Sequence, residues 1–237
     1  IDLVNNRAGS GGGILNVGML TAKQSTISGN STKYGGGGIQ NDSIGISHLE
    51  YTTVNQNESY SGGGIRNVGE LTLKNSTGSG NTAKHGGGIL NENYIRISNT
   101  TVSGNRGDYG GGLAVHRPSG SPRTELNNTI IAANTATIEG ADCTGDVMSL
   151  GYNLVGSDEH CGMQATASDL VGTQLQPIDP RLGALGNNGG PTETYALLLG
   201  SPAIDNGGDN PASSTDQRGL VRPQGRASDI GAYESGG

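Results

Sequence analysis

The sequence predicts an all-β fold: a right-handed parallel β-helix with about 25 residues per rung. Three observations carry this expectation. A triplet of glycines followed by Ile or Leu recurs five times, beginning at Gly11, Gly36, Gly62, Gly86 and Gly110. The steps are 25, 26, 24 and 24 residues, and self-similarity at a fixed period is the signature of a stacked architecture. Asparagines flank the triplets in two columns. Between the columns lie short segments that alternate apolar and polar residues, as strands with one side chain in and the next out do.

The first asparagine column follows the triplets at Asn16, Asn41, Asn67 and Asn91, and the fifth rung breaks it with Val115. The second precedes them at Asn6, Asn30, Asn57, Asn81, Asn105 and Asn134. Each rung has room for about three short strands and none for three helices. One rung cannot bury its own apolar side chains, but rungs stacked ~4.8 Å apart form continuous parallel sheets. Like residues then fall above like. Leu20, Leu71 and Ile95 form one expected inward column. Ala22, Leu49, Leu73, Ile97 and Leu126 form another, and Ile27, Val54, Val102 and Ile131 a third. Inward asparagines at the corners can hydrogen-bond up and down the stack, which satisfies buried amides.

Composition agrees. Only 31% of the 237 residues are hydrophobic and 3% aromatic, so backbone ladders must supply much of the stability. The formal net charge is −7 with no run of Lys or Arg, which argues against a nucleic-acid partner. No stretch is long and apolar enough to span a membrane as a helix. The chain starts at Ile1 without Met, consistent with a removed leader. Ile1-Asp2-Leu3-Val4 aligns with the last strand of a rung, so a longer ladder or a partner is expected to cover this end.

The repeat ends near Gly140, dividing the chain into a ladder over 1–140 and a second region over 141–237. The second region carries Asn187-Asn188-Gly189-Gly190-Pro191-Thr192, Gly200-Ser201-Pro202-Ala203-Ile204-Asp205, Asp216-Gln217-Arg218-Gly219, Arg222-Pro223 and Asp229-Ile230-Gly231-Ala232-Tyr233-Glu234. With the glycine ladder before it, this set resembles the secreted bacterial parallel β-helix proteins, pectate-lyase-like solenoids that end in a choice-of-anchor Q module. The resemblance implies export, an extracellular or cell-surface location, and a structural or adhesive life. It implies no known reaction. From its residues, the region reads as irregular coils that close the helix, with Leu197, Leu198, Leu199 and Ile204 placed to plug the last rung. Arg218 and Arg222 among Asp216, Asp229 and Glu234 read as ion pairs fixing loop geometry.

Two cysteines, Cys143 and Cys161, read as one bridge in an extracellular repeat fold. They lack the CxxC or paired His of a zinc site. Tyr34, Tyr60, His85 and Tyr109 stand just before the triplets. Stacked on one corner, they would present an aromatic strip to a polysaccharide or cell-surface glycan, or simply cover a glycine-rich corner. Asp205, Asp209 and Asp216 lie in a turn-rich stretch and are the candidate calcium ligands, without EF-hand or RTX spacing. No other cofactor is implied.

Acids in the ladder (Asp42, Glu50, Glu58, Glu70, Glu92 and Asp108) do not share a column. The outward positions of the middle strands, Thr21, His48, Thr72, Arg96 and Glu125, give one loose polar row. Thr26, Thr53, Thr77 and Thr101 form an outward column, with no second Thr column to complete an ice-binding array. Sequons at Asn30, Asn57, Asn75 and Asn99 fall mostly at inward corners, so they read as chance matches. The expected function is a non-enzymatic extracellular structural or adhesive protein, self-associating through its β-helix ends into filaments. The alternative is a carbohydrate-active enzyme, a polysaccharide lyase or hydrolase, or a glycan-binding module.

Overall fold

The computed structural model describes residues 1–116, 123–208 and 214–236, and in them the chain is a parallel β-solenoid of about six turns. No helix occurs among the described residues. Three sheets form the wall. Sheet A holds the strands that follow the glycine triplets: Ile14–Asn16, Ile39–Asn41, Ile65–Asn67, Ile89–Asn91 and Leu113–Val115. Sheet B holds Met19–Lys23, Ile46–Glu50, Glu70–Lys74, Tyr94–Ser98 and Arg123–Asn127. Sheet C starts with Asp2–Val4, Thr26–Ser28, Thr53–Asn55, Thr77–Ser79 and Thr101–Ser103. It continues with Ile130–Ile131, Leu154–Val155 and Leu170–Val171.

The register places like on like. Ile14, Ile39, Ile65, Ile89 and Leu113 stack inward from sheet A. Ala22, Leu49, Leu73, Ile97 and Leu126 stack from sheet B. Ile27, Val54, Val102 and Ile131 stack from sheet C, with Gly78 between Val54 and Val102. These columns meet in one buried core. Each fully buried Ile or Leu contributes roughly 1.5–3 kcal/mol, so a narrow core repeated turn after turn suffices.

Stacking continues past residue 140 although the sequence pattern does not. Cys143–Ser149 pairs with Leu113–Val115 at its start and with Arg123–Asn127 at its end, joining sheets A and B. Cys161–Gln164 stacks on that strand, and the Cys143–Cys161 disulfide ties the two.

Each triplet has a reason for three glycines. The left-handed corner falls on the first glycine in four of the five, with φ of 62° at Gly11, 66° at Gly62, 64° at Gly86 and 65° at Gly110, and on the preceding Gly35, at 96°, in the second turn. The second and third have no room for a Cβ. On Gly63 it would stand 2.4 Å from the Gly87 carbonyl oxygen of the next turn. On Gly64 it would stand 2.6 Å from the Gly88 oxygen and 3.0 Å from the Asn81 side-chain nitrogen. The triplet is therefore the hole into which the next turn's asparagine fits.

The C-terminal region does not plug the end as its sequence suggests. From Arg181 onward it runs along the flank, over the outward side of sheet C. Its contacts span several turns: Tyr195 meets Ser79 and Ser103, Thr101 Oγ1 accepts from Ala232 N–H, and Asn128 pairs with Asp229 and Gly231. The outward column of sheet C explains this course. It reads Thr26, Thr53, Thr77 and Thr101 and then changes to Ile130 and Leu154. Ile130, Ala132 and Leu154 need an apolar cover, and Leu197, Ala203 and Ile230 supply it in a second core, with Ile204 packed against it. Leu198 and Leu199 remain 50% and 96% exposed.

At the hydroxyl end one side chain joins two of the threonines. Gln217, fully buried, donates through Nε2 to Thr53 Oγ1 (3.0 Å), Thr192 Oγ1 (2.9 Å) and the Glu193 carbonyl (3.1 Å). Its Oε1 accepts from Thr77 Oγ1 at 2.7 Å. Sheet C also carries a second outward column, Ser28, Asn55, Ser79 and Ser103. Thr53, Thr77 and Thr101 are buried under the C-terminal segment, so they form a docking face within the chain and not a free ice-binding array.

Two outcomes test this packing. Gly64→Ala should destabilise the chain by roughly 1–3 kcal/mol or more in denaturant unfolding, as overpacking does, whereas Gly186→Ala, with nothing within 4 Å of the new methyl, should be near neutral. Gln217→Leu removes the acceptor of Thr77 and the bonds donated to Thr53, Thr192 and Glu193, so hydrogen exchange should accelerate at Thr192–Tyr195 and Gln217 while the sheet A strands keep their protection.

Candidate functional site

The two asparagine columns form continuous hydrogen-bonded ladders. Asn6, Asn30, Asn57, Asn81, Asn105 and Asn134 each donate through Nδ2 to the Oδ1 one turn on, at 2.9–3.0 Å. The backbone N–H of each donates to the same oxygen. Asn16, Asn41, Asn67 and Asn91 form the second ladder with Nδ2 to Oδ1 distances of 2.8 Å. Where Val115 breaks that column, Asn91 donates to Thr124 Oγ1 instead, at 2.9 Å. Both ladders point their donors toward the C-terminal end. The sequon asparagines Asn30, Asn57, Asn75 and Asn99 are all buried, which removes them as glycan acceptors in the folded chain.

The longer ladder ends on a carboxylate. Asp142 occupies the place of the third glycine in a degenerate sixth triplet, Gly140-Ala141-Asp142: Leu113 N–H donates to the Asp142 carbonyl as each preceding Ile does to its glycine. Its side chain fills the space that the next turn's asparagine would take. Oδ1 accepts from Asn134 N–H and Nδ2, both at 3.0 Å, and Oδ2 accepts from Ser157 N–H at 2.9 Å. An acceptor-only group is the chemically matched terminus for a chain of donors. Burial raises the Asp142 pKa above its ordinary value, with the Asn134 and Ser157 hydrogen bonds working against that shift.

The aromatic strip is partly assembled. His85 and Tyr109 stack with centroids 5.1 Å apart and planes 7° from parallel, and Tyr60 tilts onto His85 at 5.7 Å. Lys84 lies 5.4 Å above the Tyr60 ring. Tyr34 stands apart under Lys33, with no ring contact among the described residues. His85 and Tyr109 cover one another, while Tyr34 and Tyr60 remain 61% and 48% exposed. Burial, Lys84 and His116 lower the His85 pKa.

On sheet B the outward row Thr21, His48, Thr72, Arg96 and Glu125 is in register. Glu125 is buried, accepts from the Tyr94 hydroxyl at 3.1 Å, and pairs with Arg123 and Arg96. Three rungs earlier Glu50 bridges Lys23 (2.9 Å) and Lys74 (3.4 Å).

The candidate calcium ligands divide. Asp209 lies outside the described residues. Asp216 is fully buried in a clasp: its carboxylate pairs with Arg218 at 2.7 Å and accepts from three backbone N–H groups. Arg218 lies 3.6 Å over the Tyr233 ring, and Arg222 pairs with Glu234 at 3.2 Å. Arg222 also donates to the Asp229 and Gly231 carbonyls, so this charge cluster holds the C-terminal segment in shape. Asp205 sits elsewhere, beside a cleft of about 770 Å³ between the last turns and the C-terminal segment. Among the described residues no group of three His, Cys, Asp or Glu side chains is placed to hold a metal ion.

No family model, no curated protein and no solved structure matches the chain. The class rests on the fold: a disulfide-bearing parallel β-solenoid with a segment strapped along its flank.

The ladder terminus has a measurable pH signature. Below about pH 3.8 Asp142 is protonated in both states; above it the folded chain holds a proton that the unfolded chain releases. Stability should therefore fall, relative to Asp142→Asn, as pH rises through the window between the ordinary and the raised value. Asp142→Ala should cost roughly 1–3 kcal/mol below that window, because two buried Asn134 donors lose their acceptor, and less as pH rises through it. Unfolding midpoints of the three proteins against pH check both statements.

Proposed function

We propose that this chain is a non-enzymatic extracellular scaffold with an adhesive role. The observation that carries the reading is the longer asparagine ladder, which runs in one direction from Asn6 and ends on Asp142. It spends the most abundant repeated polar side chain on internal cross-bracing. A rung bonded to its neighbours by backbone, amide and apolar columns at once makes a stiff rod, suited to holding a binding surface at a distance. The buried disulfide is compatible with an oxidising exterior. The motif resemblance to choice-of-anchor Q proteins points the same way. End-to-end association belongs to this reading, since a parallel sheet in register can be continued by any matching strand.

A second reading is favoured by one observation: the buried Glu125 beside Tyr94, Arg96 and Arg123 on sheet B, a set with acid–base and anion-binding groups in one place. It would make the chain a polysaccharide lyase or hydrolase.

One experiment separates them. The purified chain is incubated with a panel of neutral and acidic polysaccharides and with whole cells. The scaffold reading expects adherence without new reducing ends or unsaturated products. Turnover that disappears in Glu125→Gln would replace it with the enzyme. Negative-stain images taken at high concentration should show rods joined end to end, and uniformly single rods would remove the filament.

A further inference from the structure

The cleft beside Asp205 is built jointly by the last turns of the solenoid and by the strapped segment, a kind of junction where ligand sites often form. At about 770 Å³ it falls within the range of small-ligand pockets. Its wall from the solenoid includes Asn127, Tyr152, Ser168 and Asp169, and its wall from the strap includes Asp205 and Asn206.

Three of these side chains, Asp205, Asn206 and Tyr152, retain unused bonding capacity. Asp205 spends Oδ1 on Ala227 N–H at 3.1 Å, and its Oδ2 has no hydrogen-bond partner among the described residues. Asn206 donates through Nδ2 to the Pro202 and Ile204 carbonyls, which leaves its Oδ1 as an acceptor. Tyr152 is 42% exposed, and its hydroxyl has no partner among the described residues. The backbone at Gly208 packs against the Tyr152 ring, where a Cβ would lie 2.6 Å from Cδ2. Gly208 thus fixes the ring from one side and admits the strap close to it. Tyr152 itself holds a left-handed conformation at φ 59°, which sets the direction of its ring.

The set has a definite chemistry. An exposed phenol, an open carboxylate oxygen on Asp205 and the carboxamide oxygen of Asn206 suit a polyhydroxylated ring with apolar C–H faces. Among the described residues no Lys, Arg or His lines the cleft, and two aspartates do. An anionic ligand would meet uncompensated negative charge, whereas hydroxyls and ammonium groups would meet acceptors. Asp169 stays charged in this setting: burial works to raise its pKa, but hydrogen bonds from Ser149, Thr166 and Asn153 lower it overall.

We propose that this cleft is a carbohydrate-binding site for a neutral or amino sugar, and not for a uronic acid. The inference rests on the adhesive reading and names its contact point. Only the folded-back strap completes the site, so the ladder alone does not carry it.

The test uses the full chain on immobilised neutral glucan, chitosan and polygalacturonate, with whole-cell adherence measured in parallel. Retention is expected on the neutral or the amino polymer and not on the uronate. Tyr152→Ala and Asp205→Asn should each weaken it about tenfold. Asp205→Asn keeps the Oδ1 acceptor for Ala227, so it guards against loss through misfolding, and unchanged unfolding midpoints verify this. Retention on the uronate polymer, or retention indifferent to both variants, overturns the cleft. Adherence to cells with no retention on any of the three polymers overturns the cleft and leaves the adhesive reading standing. Absence of adherence in every arm overturns both.

Discussion

The fit of one turn's asparagine into the glycine triplet of the turn before governs this molecule. A side chain at the third glycine would collide with the carboxamide and with the neighbouring carbonyl, at 3.0 and 2.6 Å for Gly64. The amide in turn bonds to the next amide through two donors. Turn spacing, corner shape and polar satisfaction are therefore one constraint. Sheets A, B and C follow from it, because corners held at a constant stagger bring the strands between them into register. The termination obeys the same logic. Asp142 stands where a glycine would stand, and its carboxylate supplies the acceptor that the next asparagine would have supplied.

The flank works by a different rule. Outward from sheet C, the chain carries hydroxyls over the early turns and hydrocarbon over the late ones. The strap reproduces that division. Gln217 meets Thr53 and Thr77, and Leu197, Ala203 and Ile230 meet Ile130 and Leu154. The charged clasp of Asp216, Arg218, Arg222, Asp229 and Glu234 lies within the strap and sets its internal shape. Burial pushes the Glu234 carboxyl above the ordinary range even with Arg222 beside it, the usual cost of a buried charge. The clasp is better understood as a means of giving an irregular segment one conformation than as a source of stability.

Chemistry follows this division between ladder and strap. The repeated faces offer little that is concentrated: in the aromatic strip His85 and Tyr109 cover one another, and the sheet B row is mostly solvated apart from Glu125. Free acceptors and an exposed phenol come together where strap and last turns meet. Repetition makes a wall; a departure from repetition makes a site.

The sequence by itself determined the period, the inward columns, the two asparagine ladders and the outward threonines. It could do so because a solenoid is quasi-one-dimensional. Each rung touches mainly its neighbours about one period away, so the contacts are written as recurrence. The Cys143–Cys161 bridge was the natural reading of two cysteines in an extracellular repeat fold, and the structure forms it. The ladder's terminus at Asp142 was also legible in principle, through the degenerate triplet Gly140-Ala141-Asp142. Only the tertiary structure decided where the C-terminal region goes and which residues line the cleft. Gln217 reaches Thr77 across 140 positions, Ala232 reaches Thr101 across 131, and Tyr51 reaches Thr215 across 164. Such contacts occur once and match in shape and polarity without repeating, so no periodicity records them. Tyr152 and Asp205 line one cleft for that reason alone: the strap returns along the flank, and nothing near either residue in the chain announces the other.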